Sequence, residues 1–266
     1  MYEFDYHKAT SVDDALKSLT DATDGKLLAG GMTLLPTMKQ RLASPDLLVD
    51  LAGIDGMKGI RKEGDQIVVG AMTTHAEVNL SALVQKEIPA LAELAGLIGD
   101  PQVRNRGTIG GSVANADPSA DYPAALVGLN ATVTTNQRSI GADDFFVDLF
   151  ETALDETEII TSVSFPLAKR AAYMKFPNPA SRYAVVGTFV ALLADNSVRV
   201  AVTGAGGSVF RQTEMEEALG KSFTADAIDG IAIDADDFNE DIHASAEYRA
   251  HLVGVMARRA VAKMAS

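Results

Sequence analysis

Residues 104–123, RNRGTIGGSVANADPSADYP, constrain the fold more than any other stretch of the chain. They combine glycines, small hydroxyl residues and two aspartates with little apolar periodicity, which is typical of a loop between packed elements. Glycine lets a backbone approach a ligand closely, and successive exposed N–H groups attract anions. The segment therefore predicts either a binding loop for a phosphate-bearing cofactor or a plain glycine-rich turn, and alone it does not separate the two.

A second glycine pair, Gly30-Gly31, lies between the apolar run KLLA and a short helical pattern, TMKQRL. With strands expected at residues 4–6, 26–29 and 47–50 and a helix from Ser11, this predicts a small α/β unit in which a strand-ending turn meets a helix. Phosphate groups favour such positions. The pair matches neither the dinucleotide fingerprint nor the Walker loop, so the sequence predicts neither a Rossmann NAD domain nor a P-loop ATPase.

The 266 residues, 47% of them hydrophobic, are enough for one large domain or two to three smaller ones. We predict seams near residues 55 and 168, giving an α/β unit (1–55), an α+β unit (56–168) and a second α+β unit (169–266). Strands are expected at residues 60, 66–70, 131–135, 139–141, 159–165, 173–176, 185–193 and 198–202, with the acidic segment 142–158 as a connection between two of them. Helices are expected at residues 74–83, 88–98, 122–129, 214–219, 225–231 and 246–264.

Composition excludes several classes of protein. A formal net charge of −13 argues against binding nucleic acid or an anionic membrane, so a cofactor phosphate would be held by backbone dipoles. The absence of cysteine excludes disulfides, thiol nucleophiles and cysteine-ligated iron–sulfur clusters within this chain.

None of the four histidines has metal-ligand spacing, and we expect His75 to cap a helix or lie on the surface and His251 to pack or pair. No leader or membrane-spanning run is apparent, which predicts a cytoplasmic protein, peripheral at a membrane only through partners.

Three segments occur together, in order: LLAGGMTLLPTMKQRLASPDLLVDL, RNRGTIGGSVANADPSADYPAAL and KFPNPASRYAVVG. In sequence and spacing they resemble the FAD-binding medium subunit of molybdenum hydroxylases, the xanthine dehydrogenase family, and within it most closely the aerobic carbon monoxide dehydrogenase type. The resemblance covers essentially the whole chain, including EYRAHLVGVMARRAVAKM near its C-terminus.

The resemblance implies an α+β fold of the vanillyl-alcohol-oxidase-like (PCMH-type) class, in which two subdomains hold FAD and a C-terminal domain follows. It implies an electron-transfer role, with 2Fe-2S clusters on a small partner subunit and the molybdenum cofactor on a large one, in a dimer of heterotrimers. Electrons would leave FAD for an external acceptor. The resemblance implies no catalytic residue and no metal ligand in this chain.

Carried over position by position, the resemblance implies two phosphate-holding turns, at residues 29–33 and 108–112, with a Thr33 hydroxyl donating to phosphate. Asp121 would accept from ribityl hydroxyls, and Ile98 and Ile160 would flank the flavin ring. The full set of cofactor-binding residues implied is Lys26, Leu27, Leu28, Ala29, Gly30, Gly31, Met32, Thr33, Leu34, Ile98, Thr108, Ile109, Gly110, Gly111, Ser112, Asp117, Asp121, Ile160, Lys175 and Tyr183.

Four of these side chains have plain structural alternatives. Asp117 serves equally well as a helix cap, and Asp121 as a first-turn acid that favours a helix N-terminus. Lys175 matches a lysine beside the flavin that would stabilise its anionic reduced form, but lysine on a strand is usually a surface residue. Tyr183 matches an aromatic beside the ring, or packs within the third unit. A third glycine run, TGAGG at residues 203–207, is interpreted as a strand-ending turn.

Met32 departs from the family pattern, since relatives commonly carry a polar residue there, and the connection at residues 135–139 is short. Two rival functions stay open at this point. A self-contained flavin oxidoreductase would need its own acid or base beside the ring, for which no residue stands out. A purely structural module would bind no flavin. The substrate is equally open, because relatives that hydroxylate N-heteroaromatic rings or oxidise aldehydes use the same flavin module.

Overall fold

The structure, a computed structural model, describes residues 1–265 and contains three larger sheets that follow one another along the chain. The first sheet is parallel and lies in the order β1-β3-β2. Its elements are β1 Asp5–Lys8, α1 Val12–Asp21, β2 Gly25–Leu28, α2 Leu34–Lys39 and β3 Leu47–Asp50. Helix α1 begins where the Ser11 hydroxyl accepts from the Asp14 amide at 3.1 Å, as its capping residue predicts.

The second sheet is antiparallel, in the order β4-β5-β10-β6-β7, and helices cover it. Its elements are β4 Ile60–Glu63, β5 Gln66–Gly70, α3 His75–Leu80, α4 Ala82–Glu87, α5 Pro89–Gly96, α6 Pro101–Arg106, α7 Ile109–Asn115, α8 Tyr122–Gly128, β6 Thr132–Thr135, β7 Ser139–Gly141, α9 Ala142–Phe145, β8 Phe146–Asp148, β9 Glu151–Thr152 and β10 Ile160–Pro166. The first two units share one hydrophobic core, which includes Val49, Ile67 and Leu126.

The third sheet is antiparallel, in the order β11-β12-β13-β14, and α11 packs along β11 and β12. Its elements are β11 Ala168–Pro177, β12 Ala184–Leu193, β13 Val198–Thr203, β14 Phe210–Arg211, α10 Thr213–Lys221 and α11 Ala246–Ala265. A separate core between this sheet and α11 includes Val186, Val200 and Met256. The mixed fold confirms the predicted class, whereas the exact domain seams stay a prediction.

Segment 104–123, expected to be a loop, is largely helical. Helices α6 and α7 end and begin within it, and α8 starts at its far end. Thr108 caps α7 through its hydroxyl, which accepts from the Gly111 amide at 3.1 Å, and the α7 residues Ile109 and Val113 are buried. A cap and two buried apolar side chains are enough to form this short helix despite its glycines.

Three smaller expectations also need correction. The helix expected over 74–83 is two helices, because the Ser81 hydroxyl accepts from the Val84 amide and begins α4. The helix expected over 225–231 is only a 3-10 turn, Ala225–Ile228, that ends at Asp229. The acidic stretch 142–158 is not a plain connection, since it carries α9 and the β8–β9 hairpin.

Candidate cofactor site

A cavity of about 550 Å³ lies between the first unit and the helices of the second. Its volume is in the range of small-molecule and cofactor sites. Both glycine turns line it, together with Ile98 and Ile160. Every residue that the family resemblance implies lines this cavity except Leu28, Ile109 and Lys175. Two turns separated by almost eighty residues thus meet at one cavity.

The first turn presents free backbone donors to this cavity. It follows β2, and Gly31 adopts a left-handed conformation with φ +72 that disfavours other residues. Within residues 1–265 no hydrogen bond engages the N–H groups of Gly30, Gly31, Met32 or Thr33. Gly30 and Gly31 are buried, and buried amides normally have partners. Two unengaged buried donors in a row at a cavity fit an anionic group such as a phosphate.

The second turn differs from the expected cradle of amides. Ile109 donates to the Thr73 carbonyl (3.0 Å), and Gly110 donates to that of Ala71 (2.8 Å). Gly111 and Ser112 donate to the hydroxyl and carbonyl of Thr108. The Thr108 amide is therefore the one backbone N–H of this turn, within the described residues, that has no hydrogen-bond acceptor, and the Ser112 hydroxyl is a further polar group at the cavity. A β-carbon at Gly110 would lie 2.6 Å from that of Ala71, so this glycine also allows α7 to pack closely.

The first turn contacts the backbone that directly precedes the second turn. A β-carbon at Gly30 would lie 2.1 Å from the Arg106 carbonyl oxygen and 2.7 Å from the Gly107 Cα. No residue other than glycine fits at position 30 without separating the first unit from α6. The relative position of the two turns, and with it the width of the cavity, is therefore fixed by this contact.

Asp121, Lys175 and Tyr173 form a buried cluster at one side of the cavity. Lys175 Nζ lies 2.8 Å from Asp121 Oδ2, and the Tyr173 hydroxyl donates to Asp121 Oδ1 at 2.5 Å. The side chain of Lys175 is only 3% exposed. Burial raises the pKa of Asp121, and the Lys175 charge and the hydrogen bonds oppose that rise. The alternative that Lys175 is a surface residue is wrong.

Asp117 and Tyr183 line the same cavity. Asp117 closes a local turn by accepting from the Ser119 amide at 2.8 Å, and it caps no helix. Burial raises the pKa of Tyr183, as do the Asp117 and Asp121 carboxylates, while a hydrogen bond with the Thr33 side chain lowers it. Tyr183 is 43% exposed, so it lies at the mouth and is not a core residue of the third unit.

Sequence reasoning missed His75 and Glu158, which line the cavity, and Tyr173, which contacts Asp121 but does not line the cavity. His75 was expected to be a cap or surface residue, but it is buried at the start of α3, which Thr74 caps, and burial and the Arg104 charge lower its pKa to about 4. Its Nδ1 has no hydrogen-bond partner among the described residues. Glu158 also lines the cavity, paired with Arg138. Tyr173 touches the site only through Asp121, and its place two residues before Lys175 on a strand was the available signal.

No group of three or more His, Cys, Asp or Glu residues within 1–265 forms a metal site. In the same described range, no helix combines the length and apolarity needed to cross a membrane. His251 stacks on Tyr248 along α11, with ring centroids 6.4 Å apart.

Comparison with known proteins gives the family. The FAD-binding domain of molybdopterin dehydrogenases matches residues 2–168, and the C-terminal domain of carbon monoxide dehydrogenase flavoproteins matches residues 171–264. The chain belongs to this family of molybdenum hydroxylase flavin subunits. It is an oxidoreductase subunit whose first two units form an FAD-binding domain, as the resemblance implied.

Individual relatives extend over nearly the whole molecule. The medium chain of carbon monoxide dehydrogenase from Hydrogenophaga pseudoflava is 36% identical and matches 97% of this chain and 96% of its own. The medium subunit of nicotine 6-hydroxylase from Paenarthrobacter nicotinovorans is also 36% identical, with 96% and 95% covered. Reconstituted carbon monoxide dehydrogenase from Oligotropha carboxidovorans superposes with a TM-score of 0.91 at 34% identity, covering 99% of this chain and 98% of that one.

Proposed function

We propose that this flavin subunit relays electrons from iron–sulfur clusters of a small partner, through FAD held in the cavity, to an external acceptor. The observation that carries the proposal is the meeting of two turns at one cavity, the first of which offers unengaged amides from Gly30 to Thr33. Bound there, FAD supplies a carrier that takes up and releases electrons. The chain's own residues bind and orient it and set its electrostatic surroundings.

The ionisable groups around the cavity favour electron transfer over substrate chemistry. An effective general base has a pKa near the working pH. Hydrogen bonds from Arg138 hold the pKa of Glu158 at about 2, and burial holds that of His75 at about 4. Neither of these two groups is tuned to move protons near neutrality. Burial raises the pKa of Asp117 and Asp121, but Asp117 accepts from the Ser119 amide and Asp121 is paired with Lys175. These arrangements support a carrier role rather than a self-contained flavin oxidoreductase.

The complex we propose has this chain, a small iron–sulfur subunit and a large molybdenum subunit, arranged as a dimer of heterotrimers. The chain has no cysteine, so any cysteine-ligated cluster lies in another polypeptide. The relatives support the assembly, since they carry the names medium chain, medium subunit and, in one structure, Cu,Mo-CO dehydrogenase. The cytoplasmic location stays a prediction.

We propose carbon monoxide as the substrate of the complex. Similarity to the carbon monoxide dehydrogenases extends to the C-terminal domain, whose family is named for that enzyme. A nicotine hydroxylase subunit has the same percentage identity, so an N-heteroaromatic substrate is the second candidate. The large partner chooses between them, since no described residue of this chain is placed to act on either.

Spectroscopy of the chain purified with and without its partners tests the relay. We expect flavin absorption bands and releasable FAD in both, flavin reduction by substrate only in the complex, and no substrate turnover by the isolated chain. A complete complex without flavin would exclude the proposal. Turnover by the isolated chain would establish the self-contained oxidoreductase instead. Comparison of carbon monoxide with nicotine-like heteroaromatics as reductants of the complex separates the two substrate candidates.

A further inference from the structure

The Asp121 carboxylate lies at the cavity with both of its oxygens engaged by strand β11. Oδ1 accepts from the Tyr173 hydroxyl at 2.5 Å, and Oδ2 pairs with Lys175 Nζ at 2.8 Å. The three side chains are each between 2% and 4% exposed. A buried carboxylate is stable as an anion only while such partners compensate the loss of water.

Tyr173 and Lys175 reach Asp121 together because residues two apart on a strand point to the same side of the sheet. Their strand begins the third unit, whereas Asp121 belongs to the second, just before α8. The Tyr173 ring packs near Phe189 of β12, with centroids 6.2 Å apart. The third unit thus contributes a lysine and a hydroxyl donor to Asp121, which lines a cavity formed mainly by the other two units.

Strand β12, which pairs with β11, leaves space for the Tyr173 side chain. Gly187 lies opposite Lys175 in the β11–β12 register. A β-carbon at Gly187 would lie 2.2 Å from the Tyr173 hydroxyl oxygen and 2.8 Å from its Cζ. Any residue larger than glycine at this position forces the ring away from its place over the strand. The Tyr173 ring can therefore occupy its position only because residue 187 has no side chain.

We infer that Tyr173, seated over Gly187, is a positioning residue of the cofactor site, which holds the Asp121 carboxylate in its ion pair with Lys175. The inference rests on the proposed function, because the property that this arrangement sets is the environment of bound FAD. Tyr173 does not line the cavity and acts only through Asp121.

Loss of the phenolic hydroxyl changes the charge at the cavity. Oδ1 of Asp121 is left buried without a donor, and desolvation then favours the protonated carboxyl group. Lys175 then faces a neutral carboxyl group instead of a carboxylate. The other titratable groups that sense this carboxylate are the phenols of Tyr122 and Tyr183, and neither bonds to it. The negative charge that Asp121 contributes at the cavity wall is therefore lost, and the Asp121–Lys175 pair is no longer balanced.

Tyr173→Phe tests the inference in the full chain loaded with FAD. The ring and its packing stay, and only the hydroxyl is removed. We expect the dissociation constant of FAD to rise about tenfold, in line with the loss of a hydrogen bond to a charged group. We also expect a more positive flavin midpoint potential and a new infrared band of a protonated buried carboxyl group in the apoprotein, a signature that a merely structural role would not produce.

Tyr6→Phe is the matched control. The Tyr6 hydroxyl also donates to an aspartate, Asp50 at 2.6 Å, but on the exposed face of the first sheet. It should leave the FAD dissociation constant, the potential and the infrared spectrum unchanged. If Tyr173→Phe gives the same three values as Tyr6→Phe, the inference is wrong. If the wild-type chain itself binds no FAD, the failure lies with the proposed function instead.

Gly187→Ala provides an independent second variant. Its methyl group should displace the Tyr173 hydroxyl and weaken FAD binding to a similar extent. Because the two variants act on one contact, the double variant should bind FAD no more than about twofold more weakly than Tyr173→Phe alone. If the two substitutions instead weaken FAD binding independently, so that their effects on the dissociation constant multiply, Gly187 does not position the Tyr173 ring.

Discussion

Gly31 has both a left-handed backbone conformation and an amide at the cavity that makes no hydrogen bond. Gly31→Ala should reduce FAD retention at least tenfold, because a β-carbon disfavours φ +72 and would lie 2.9 Å from Leu35 Cδ1, which shifts the turn. Flavin occupancy of the purified chain measures the effect. Gly64→Ala is the control, since Gly64 has φ +57 with nothing within 4 Å of its β-carbon position. Both variants lose about 1 kcal/mol of stability, but only Gly31→Ala should lose flavin.

His75 makes the stability of the apoprotein depend on pH. Burial lowers its pKa from 6.5 to about 4, so between these values the unfolded chain binds a proton that the folded chain does not. The contribution of neutral His75 to the free energy of unfolding is fully present above pH 6.5 and is lost as the pH falls towards 4. At 1.36 kcal/mol per unit it amounts to about 3 kcal/mol.

Urea unfolding at a series of pH values measures this dependence. Between pH 6.5 and pH 4, the unfolding free energy of His75→Gln should fall by about 3 kcal/mol less than that of the wild type. His251→Gln, at an exposed position of α11, is the matched histidine control. Parallel profiles for wild type and His75→Gln would show that the imidazole is not held neutral by burial.

The same residues show what the sequence predicts of a site and what it leaves out. Gly30 and Gly31 were identified because glycine carries its own backbone constraint, which is visible in one letter. Tyr173 was missed, since its role depends on the empty space over Gly187, fourteen residues away and on another strand. The start of the helix at His75 was predicted correctly, but its burial was not, because a capping pattern indicates where a helix begins and not which of its residues are buried.

At the scale of elements, Thr74 and Glu77 form a reciprocal cap on α3. The Thr74 hydroxyl accepts from the Glu77 amide at 3.3 Å, and Glu77 Oε2 accepts from the Thr74 amide at 3.0 Å. Since α3 has six residues, the cap is a large part of what defines its first turn, which carries His75. Thr74→Ala should lower the free energy of unfolding by about 1 kcal/mol, measured by urea unfolding. Thr224→Ala precedes a turn without a side-chain cap and should cost much less.

Elements with regular apolar patterns were predicted close to their observed bounds, whereas residues 104–123 were not. Strands β12 and β13 are almost continuously apolar, and such runs identify buried strands. Helix α7, IGGSVAN, contains two glycines and no clear stripe, so its propensity predicts a loop. It becomes helical because tertiary contacts hold it, among them the hydrogen bond from the Gly110 amide to the Ala71 carbonyl. Sequence patterns do not record contacts of that kind.

At the scale of the whole molecule, the third unit holds the cofactor-facing segment 117–121 of the second. The Thr203 hydroxyl lies within hydrogen-bond distance of the carbonyls of Pro118 (2.9 Å) and Ala120 (2.6 Å). The Gly204 amide donates to Pro118 as well, and the Ala184 amide donates to Ser119. The TGAGG run is thus a strand-ending turn, as expected, whose position supports the segment that carries Asp117 and Asp121. A C-terminal domain that supplies Lys175 and Tyr183 and also fixes their partners is part of the site.

Two threonines on adjacent strands of this sheet test that arrangement. Thr203 and Thr188 are both fully buried, but the Thr188 hydroxyl has no partner among residues 1–265. Thr203→Val leaves the Pro118 and Ala120 carbonyls with one donor fewer, so we expect a loss of about 1–2 kcal/mol in unfolding free energy and a severalfold weaker FAD affinity. Thr188→Val removes only an unpaired hydroxyl, so stability should stay or rise and FAD affinity should not change. Urea unfolding and FAD titration of the two variants measure both properties, and equal FAD affinities would show that the third unit does not hold segment 117–121 in place.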